Sequence, residues 1–439
     1  MSKGKRPAAT RRGNQRRGDQ RRGDQRRRTA AQGDSLVGTE VEVEVGDVAH
    51  GGHCVARHDG RVVFLRHALP GERVVARITD GGTASRFLRA DAVRVLDASP
   101  ERREAPCRFA GPGGCGGCDW QHTSAAFGRE LKTRVVREQL RRLAGIDWDG
   151  VVEPVPGDQE GLRWRTRVEF SVSPDRRLGL RKHRSHDVVA VDDCLIAVPE
   201  IAATGLLEEP VEPHVTGVDV AVASDREVVA VDLPVRDSGV PNVVEQVAPN
   251  GVAARGFRVS SRGFWQVHPG AAATFVTAAL EGLQPRPGER ALDLYAGVGV
   301  FTAFLADAVG PTGRVLGLEG DSRAVRDAGP NLTGVGHASL QRADIGRDGW
   351  QAAMDETLES VDLVVLDPPR SGAGRAVIGD VLARRPRRAA YIACDPAALA
   401  RDLSYAADAG YRVVSVRAFD AFPMTHHIEC VAILEPAAD

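Results

Sequence analysis

Residues 291–299 read ALDLYAGVG, and this stretch decides the fold of the C-terminal part of the chain. A short apolar run, long enough for one buried strand, ends in a turn with two glycines, and helical spacing begins just after it. The rhythm repeats outward. RVLGLE (314–319), SLQRAD (339–344), VDLVVLDPP (361–369) and AAYIACD (389–395) alternate with helical stretches, and YRVVSVRAF (411–419) and ECVAIL (429–434) close the series. Apolar strands alternating with helices predict an α/β, doubly wound, Rossmann-like domain over residues 263–439, its sheet largely parallel. Ligands of such sheets bind beyond the carboxyl ends of the strands. The residues that end each strand are therefore the candidates for function.

The first strand runs through Asp293 into Gly297 and Gly299, which let backbone approach a ligand where the next helix begins. A G-x-G without the third glycine of the dinucleotide fingerprint is weak evidence alone. The second strand ends at Glu319, twenty residues beyond Gly299, where a carboxylate can accept hydrogen bonds from both hydroxyls of a ribose. Together they fit an adenosine-type ligand without a pyrophosphate: methionine-linked adenosine first, NAD second. Asp344 ends the third strand and joins the cofactor-binding candidates. The fourth ends in Asp367-Pro-Pro-Arg370, a rigid turn suited to presenting a flat ligand. The fifth ends in Cys394-Asp395-Pro396. A lone cysteine in a strand is usually a small core residue. This one stands at the ligand edge, before a helix N-terminus whose dipole is expected to favour the thiolate. Glu429 opens the last strand, behind Pro423-Met-Thr-His-His427.

Upstream the texture changes. Alternating runs between 162 and 260 (RTRVEFSV, DVVAV, VDVAVA, EVVAVDL) suggest a β-rich central domain spanning 98–262. At its start lies CRFAGPGGCGGCDWQH, which spaces Cys107, Cys115 and Cys118 as C-x7-C-x2-C, with Cys194 far downstream. Four thiolates suit zinc or an iron–sulfur cluster, and spacing alone does not choose between them. LKTRVVREQLRRLAG (131–145) reads as a basic amphipathic helix. VEVEV, CVARH, RVVFL, RVVARI and AVRVL, between 41 and 96, read as five short strands of a small OB-like barrel over 35–97. Strands this close leave no room for helical crossovers, and antiparallel meanders are expected.

Residues 1–34 form a basic tail that repeats RRGNQ or RRGDQ. Having little to bury, it is expected to be disordered and to serve either as an RNA-gripping arm or as a solvated extension. Within residues 1–33, Lys3, Lys5 and ten arginines stand against Asp19 and Asp24, a charge of +10, which leaves −11 for the rest of a chain whose formal charge is −1. A basic arm on an acidic body points to a polyanionic partner. No run of about 18 apolar residues could span a bilayer. Seven cysteines, an odd number, argue against a disulfide framework and for the cytoplasm.

DLYAGVG, LDPPRSG, YIACDPAALARDL and DAFPMTHHIE, in this order and at these spacings, resemble the RNA 5-methyluridine methyltransferases. FWQVHPGA (264–271) looks like a segment that precedes the domain in that family, and the barrel is similar to the RNA-binding TRAM domain of one branch. The resemblance covers roughly residues 37–434. It implies a class I methyltransferase sheet using S-adenosylmethionine, with Cys394 as nucleophile, Glu429 as base, and Gln266, Tyr295, Glu319 and Asp367 at the cofactor. It also implies a [4Fe-4S] cluster on Cys107, Cys115, Cys118 and Cys194, zinc being the alternative, although the x7 interval is longer than is usual. RNA is the implied partner, ribosomal more than transfer RNA, with the chain a monomer away from any membrane. Four positions depart from the family's pattern. Ala393 and Asp395 flank the nucleophile in place of Ser and Asn, Ala296 stands for Cys, and His268 for Asn. Rival readings are an RNA 5-methylcytidine enzyme, which would need a further acid or cysteine near the DPP motif, and a non-catalytic RNA-binding protein that keeps the cofactor fold.

Overall fold

The computed structural model describes residues 33–236 and 239–438. Most of the expected basic tail lies outside them. The chain divides into two compact units: one holds the barrel and extends to Pro100 apart from His50–Gly52, and the other holds His50–Gly52 and everything from Glu101 on.

The first unit is a closed five-stranded barrel of β1 (Glu40–Val48), β2 (Cys54–His58), β3 (Arg61–Arg66), β4 (Arg73–Asp80) and β5 (Phe87–Asp97), in the order β1-β2-β3-β5-β4. Alternate residues point inward, so Val43, Val45, Cys54, Val63, Leu65, Val74, Ala76, Ile78, Leu88 and Ala90 fill the interior. The expected all-antiparallel meander is corrected at one seam, where β3 and β5 pair in parallel. The reason is parity. An odd number of strands cannot close a ring with every neighbour antiparallel, so at least one parallel pair must occur.

In the second unit the basic helix starts six residues earlier than its sequence pattern suggests. It is α1 (Ala125–Gln139), capped by Ser124, whose hydroxyl accepts from the Phe127 amide at 3.0 Å. It runs on as a π-helical turn over Leu140–Ala144 and stops at Gly145, whose φ of 66° a side chain would resist. An antiparallel sheet follows, β7 (Arg167–Val172), β8 (Leu178–Arg181), β9 (Val188–Ala190), β10 (Gly217–Val222) and β11 (Val228–Leu233), in the order β11-β10-β7-β8-β9, with a short helix α2 (Pro199–Ala203) between β9 and β10. The hairpin of β12 (Asn242–Val247) and β13 (Arg255–Ser260) leads into the C-terminal part.

There, all seven expected strands form: β14 (Arg290–Leu294), β15 (Arg314–Glu319), β16 (Ala338–Arg342), β17 (Leu363–Leu366), β18 (Arg388–Ala393), β19 (Tyr411–Asp420) and β20 (Glu429–Pro436). The helices are α3 (Ala271–Leu283), α4 (Val300–Val309), α5 (Ser322–Asn331), α6 (Trp350–Thr357), α7 (Gly374–Leu382) and α8 (Pro396–Asp408). The sheet order is β16-β15-β14-β17-β18-β20-β19, with an eighth strand, β6 (Val152–Pro154), parallel to β19 at the edge. β14 to β18 are parallel and β20 is antiparallel to both its neighbours. Strand order reverses between β14 and β17, and a ligand crevice opens at such a switch point. Phe275, Leu283, Leu305, Val315, Leu363, Ile392, Phe419 and Ile433 belong to the core that holds this sheet against its helices. No helix among the described residues is long and apolar enough to cross a membrane.

Candidate active site

Two cavities open at the carboxyl edge of this sheet. Gln266, Phe275, Tyr295, Ala296, Gly297, Val298, Phe301 and Asp367 line the first, with Phe264 at its rim, 77% exposed. The register explains the grouping. Leu294 pairs with Leu366, so Tyr295 and Asp367 leave their strands side by side. The chain then turns sharply: Tyr295 has φ 64°, Gly297 55° and Gly299 87°. Such a conformation costs a tyrosine of order 1 kcal/mol and is held by its surroundings. A Cβ on Gly297 would meet nothing within 4 Å, so the glycine is there for its backbone angles and not for want of room. Glu319 fixes the turn by accepting from the Gly297 amide at 2.8 Å and the Asp321 amide at 2.7 Å. Asp293 lies wholly buried behind, accepting from the Thr302 hydroxyl at 2.6 Å. Burial pushes Asp293 up to about 7, with the Glu319 charge in the same direction. Burial, with the charges of Asp293 and Glu319, also pushes Asp367 up to about 7. Of the expected cofactor residues, Gln266, Tyr295, Gly297 and Asp367 line the cavity, while Asp293, Glu319 and Gly299 support it from behind. Asp344 is exposed beyond β16 and lines neither cavity.

The second cavity is lined by Cys394, Asp395, Arg370, Trp120, His426 and His427 among others. Ala393 pairs with Cys430 in the antiparallel β18–β20 ladder, and one step further along that register brings Cys394 opposite Glu429. Cys394 is half-buried, whereas Glu429 is only 4% exposed. Asp367 lines the first cavity, and its charge acts on both Cys394 and Glu429. Burial, then the charges of Glu429 and Asp367, push the Cys394 thiol up to about 12, with Arg370 pulling it down. The helix terminus expected from sequence to favour the thiolate has a competing acceptor. The N-terminus of α8 is already taken by Asp395, whose Oδ1 accepts from the Ala397 and Ala398 amides at 3.0 and 2.8 Å. Burial works to raise the Asp395 carboxyl, but His50, 2.9 Å from its Oδ2, and those amides hold it below its usual value. Burial and the Asp367 charge keep Glu429 well above the ordinary carboxylate range, against Arg370. His427 is pushed down to about 3 by burial and by His426, so it is a neutral imidazole.

Three supports had no signal in the sequence pattern. Asp402, fully buried on α8, accepts through one oxygen from Tyr391 Oη at 2.6 Å and from the Ala373 and Gly374 amides at 2.7 and 3.0 Å. It thereby holds the turn that follows Arg370. Lys132 of α1 is buried against Asp420 and donates to the Phe422 carbonyl at 3.1 Å, tying the helix to the loop before Glu429. His268 is buried, stacks on Trp164 and is held near 4 by burial, a neutral core residue.

A third cavity lies in the central part. Cys107, Cys115, Cys118 and Cys194 all line it, with Phe109, Val168, Leu180, Val191 and Ile196 as apolar walls. Burial raises all four thiols. The Gln121 side chain donates to Cys118 Sγ at 3.2 Å and accepts from the Cys107 amide at 3.1 Å. The residues expected to share a sulfur-ligated group are thus brought to one space. Among the described residues, however, no three His, Cys, Asp or Glu side chains stand in an arrangement that could hold a metal ion.

Comparison with known proteins shows what the chain is similar to. A family model described as TRAM domain matches residues 34–93, and one described as tRNA (Uracil-5-)-methyltransferase matches residues 242–437. An uncharacterized RNA methyltransferase of Streptomyces coelicolor is 51% identical over 92% of this chain and 94% of its own length. The 23S rRNA (uracil(1939)-C(5))-methyltransferase RlmD of Pseudomonas aeruginosa is 32% identical over 92% of this chain and 96% of its own. The crystal structure of Pyrococcus abyssi tRNA (uracil-54, C5)-methyltransferase in complex with S-adenosyl-L-homocysteine shares the fold. It has a TM-score of 0.64 at 20% identity and covers 89% of this chain and 99% of that one. Likeness to these relatives over nearly the full length, and a family model laid over the very sheet that carries Cys394 and Glu429, place the chain in the RNA uracil-C5 methyltransferase family.

Proposed function

We propose that this chain methylates carbon 5 of a uridine in RNA, with S-adenosylmethionine as methyl donor and Cys394 as covalent nucleophile. The observation that carries the reading is the pairing of Cys394 with Glu429 across the β18–β20 register, with Cys394 on one cavity and Asp367, whose charge acts on both residues, on the strand-switch cavity. Carbon 5 of an intact uracil is a poor nucleophile. Addition of the Cys394 thiolate to carbon 6 makes the ring an enolate, whose carbon 5 takes the methyl group from the sulfonium. Glu429 then removes the proton left on carbon 5, the thiolate departs and the double bond returns.

In the free site burial and the Asp367 charge push the Glu429 carboxyl upward, against the ionised form that a base needs. A cationic donor near Glu429 would counter that push, because a neighbouring positive charge favours the ionised carboxylate. Gln266, Tyr295 and the Gly297 turn would hold the adenosine end, with Glu319 behind them. The neutral rings of Trp120 and His427 offer faces for a base flipped out of its stack. Incubation of the purified protein with RNA lacking 5-methyluridine and methyl-labelled donor should place label on carbon 5. Cys394→Ala should abolish transfer and Glu429→Gln should accumulate a protein–RNA adduct; full turnover by the Cys394→Ala variant would end the covalent scheme.

The relatives named for 23S rRNA favour ribosomal over transfer RNA as substrate. For the thiol cavity we favour a [4Fe-4S] cluster on Cys107, Cys115, Cys118 and Cys194, supported by four cysteines lining one space; such a group would brace the loops that carry its ligands. Anaerobically purified protein should be brown with about four irons per chain, whereas a colourless zinc-bearing preparation would assign the site to zinc.

A further inference from the structure

Four consecutive residues, Cys118 to Gln121, serve two sites in turn. Cys118 and Gln121 line the thiol cavity, and Gln121 bonds both the Cys118 sulfur and the Cys107 amide. Of the two between them, Trp120 lines the nucleophile cavity and Asp119 binds His426 of its wall. Asp119 Oδ2 accepts from the His426 amide at 3.0 Å and meets His426 Nδ1 at 2.7 Å. The amides of Asp119 and Trp120 both donate to the Met424 carbonyl, at 2.9 and 3.1 Å. Trp120 is itself a wall of the Cys394 cavity. A second path runs through packing. Met424, at a strained φ of 63°, is buried with Trp164 and Ile196, and Cys118 and Cys194 pack against the same cluster. Residues 423–429, which carry His426, His427 and Glu429, are thus held in part by the loop that presents Cys118.

We infer that residues 118–121 transmit the state of the thiol cavity to the nucleophile cavity, with Asp119 as the positioning residue that sets where His427 and Glu429 stand. The inference rests on the proposed reaction only in giving the Cys394 cavity its role. A carboxylate that accepts a backbone amide and pairs with an imidazole fixes both the chain and the ring. Any change that moves Cys118 moves Asp119, its covalent neighbour, and loosens that hold. Cys107 is the useful probe, because Cys107→Ala removes a thiol from the shared cavity while keeping the backbone amide that binds Gln121.

The test is amide hydrogen exchange over residues 421–429 in the full-length protein, with strands β14–β18 as internal reference. It is run on the wild type, Asp119→Ala, Cys107→Ala and the double variant. Each single variant should speed exchange at His426 and its neighbours by about ten-fold or more, and the double variant should be no faster than the faster single one. Unchanged exchange in Cys107→Ala, or multiplicative effects in the double variant, would overturn the coupling. If Cys107→Ala loosens the reference strands as well, Asp119→Asn decides. It keeps an acceptor for the His426 amide but loses the charge on the ring. kcat should then fall about ten-fold with KM for the methyl donor unchanged, while an unaltered kcat sinks the positioning role. Hydrogen exchange needs no turnover, so an enzyme inactive on every RNA tried would refute the proposed reaction and leave the coupling to be judged by exchange.

Discussion

Cys394 shows how position and chemistry can be read from a sequence while its electrostatics cannot. That it ends a strand, before a helix, follows from the AAYIACDP pattern and needs no coordinates. Its ionisation depends on what faces it from β20 and β17, which no local pattern contains. Burial and the neighbouring carboxylates leave the free thiol protonated at neutral pH. Alkylation of Cys394 by iodoacetamide in the ligand-free protein, followed by mass spectrometry, should therefore rise about ten-fold per pH unit from 7 to 9 without levelling. A plateau below pH 8 would show that the helix end wins after all. The sign follows from the cause, since a raised thiol pKa means a smaller thiolate fraction at every pH below it. Glu429 was legible only through likeness to a family, because a single carboxylate opening an edge strand has no signature of its own. Asp119 and Asp402 carried none at all, as their partners lie far along the chain.

At the scale of elements, periodicity did most of the work. Seven apolar strands, the first six separated by helices, could satisfy their backbones and bury their faces in few other ways, so β14 to β20 follow from spacing. Where spacing failed, the cause was context. α1 begins at Ala125 because Ser124 caps it there, although its apolar stripe is clear only from Leu131. Lys132 looks in sequence like one more charge on a basic face, yet it is 1% exposed and paired with Asp420. Removing one partner of such a pair strands the other charge inside the protein and costs about 3–5 kcal/mol. Lys132→Met should accordingly unfold several degrees lower in a thermal melt, and Lys132→Met combined with Asp420→Leu should recover much of the loss. If the single substitution leaves the melting temperature unchanged, the pair does not anchor α1.

On the scale of the whole chain, charge is divided against itself, with about +10 in the first 33 residues and an acidic remainder. For a protein whose family acts on RNA, that division makes affinity depend on salt. Removing residues 1–32 should weaken RNA binding and flatten the slope of log affinity against log salt by several units, at about 0.9 or less for each phosphate the arm no longer neutralises. An unchanged slope would make the tail a bystander. The strand β6 has a different consequence. It comes from residues 152–154, ahead of the central sheet, yet it lies along β19 at the border of the C-terminal sheet. A fragment begun at residue 263, where the alternating pattern invites a cut, would leave that border bare, offering unpaired amides and carbonyls to the next copy. Such a piece would be prone to clump, and the safe place to divide the gene lies upstream of the helix that leads into β6.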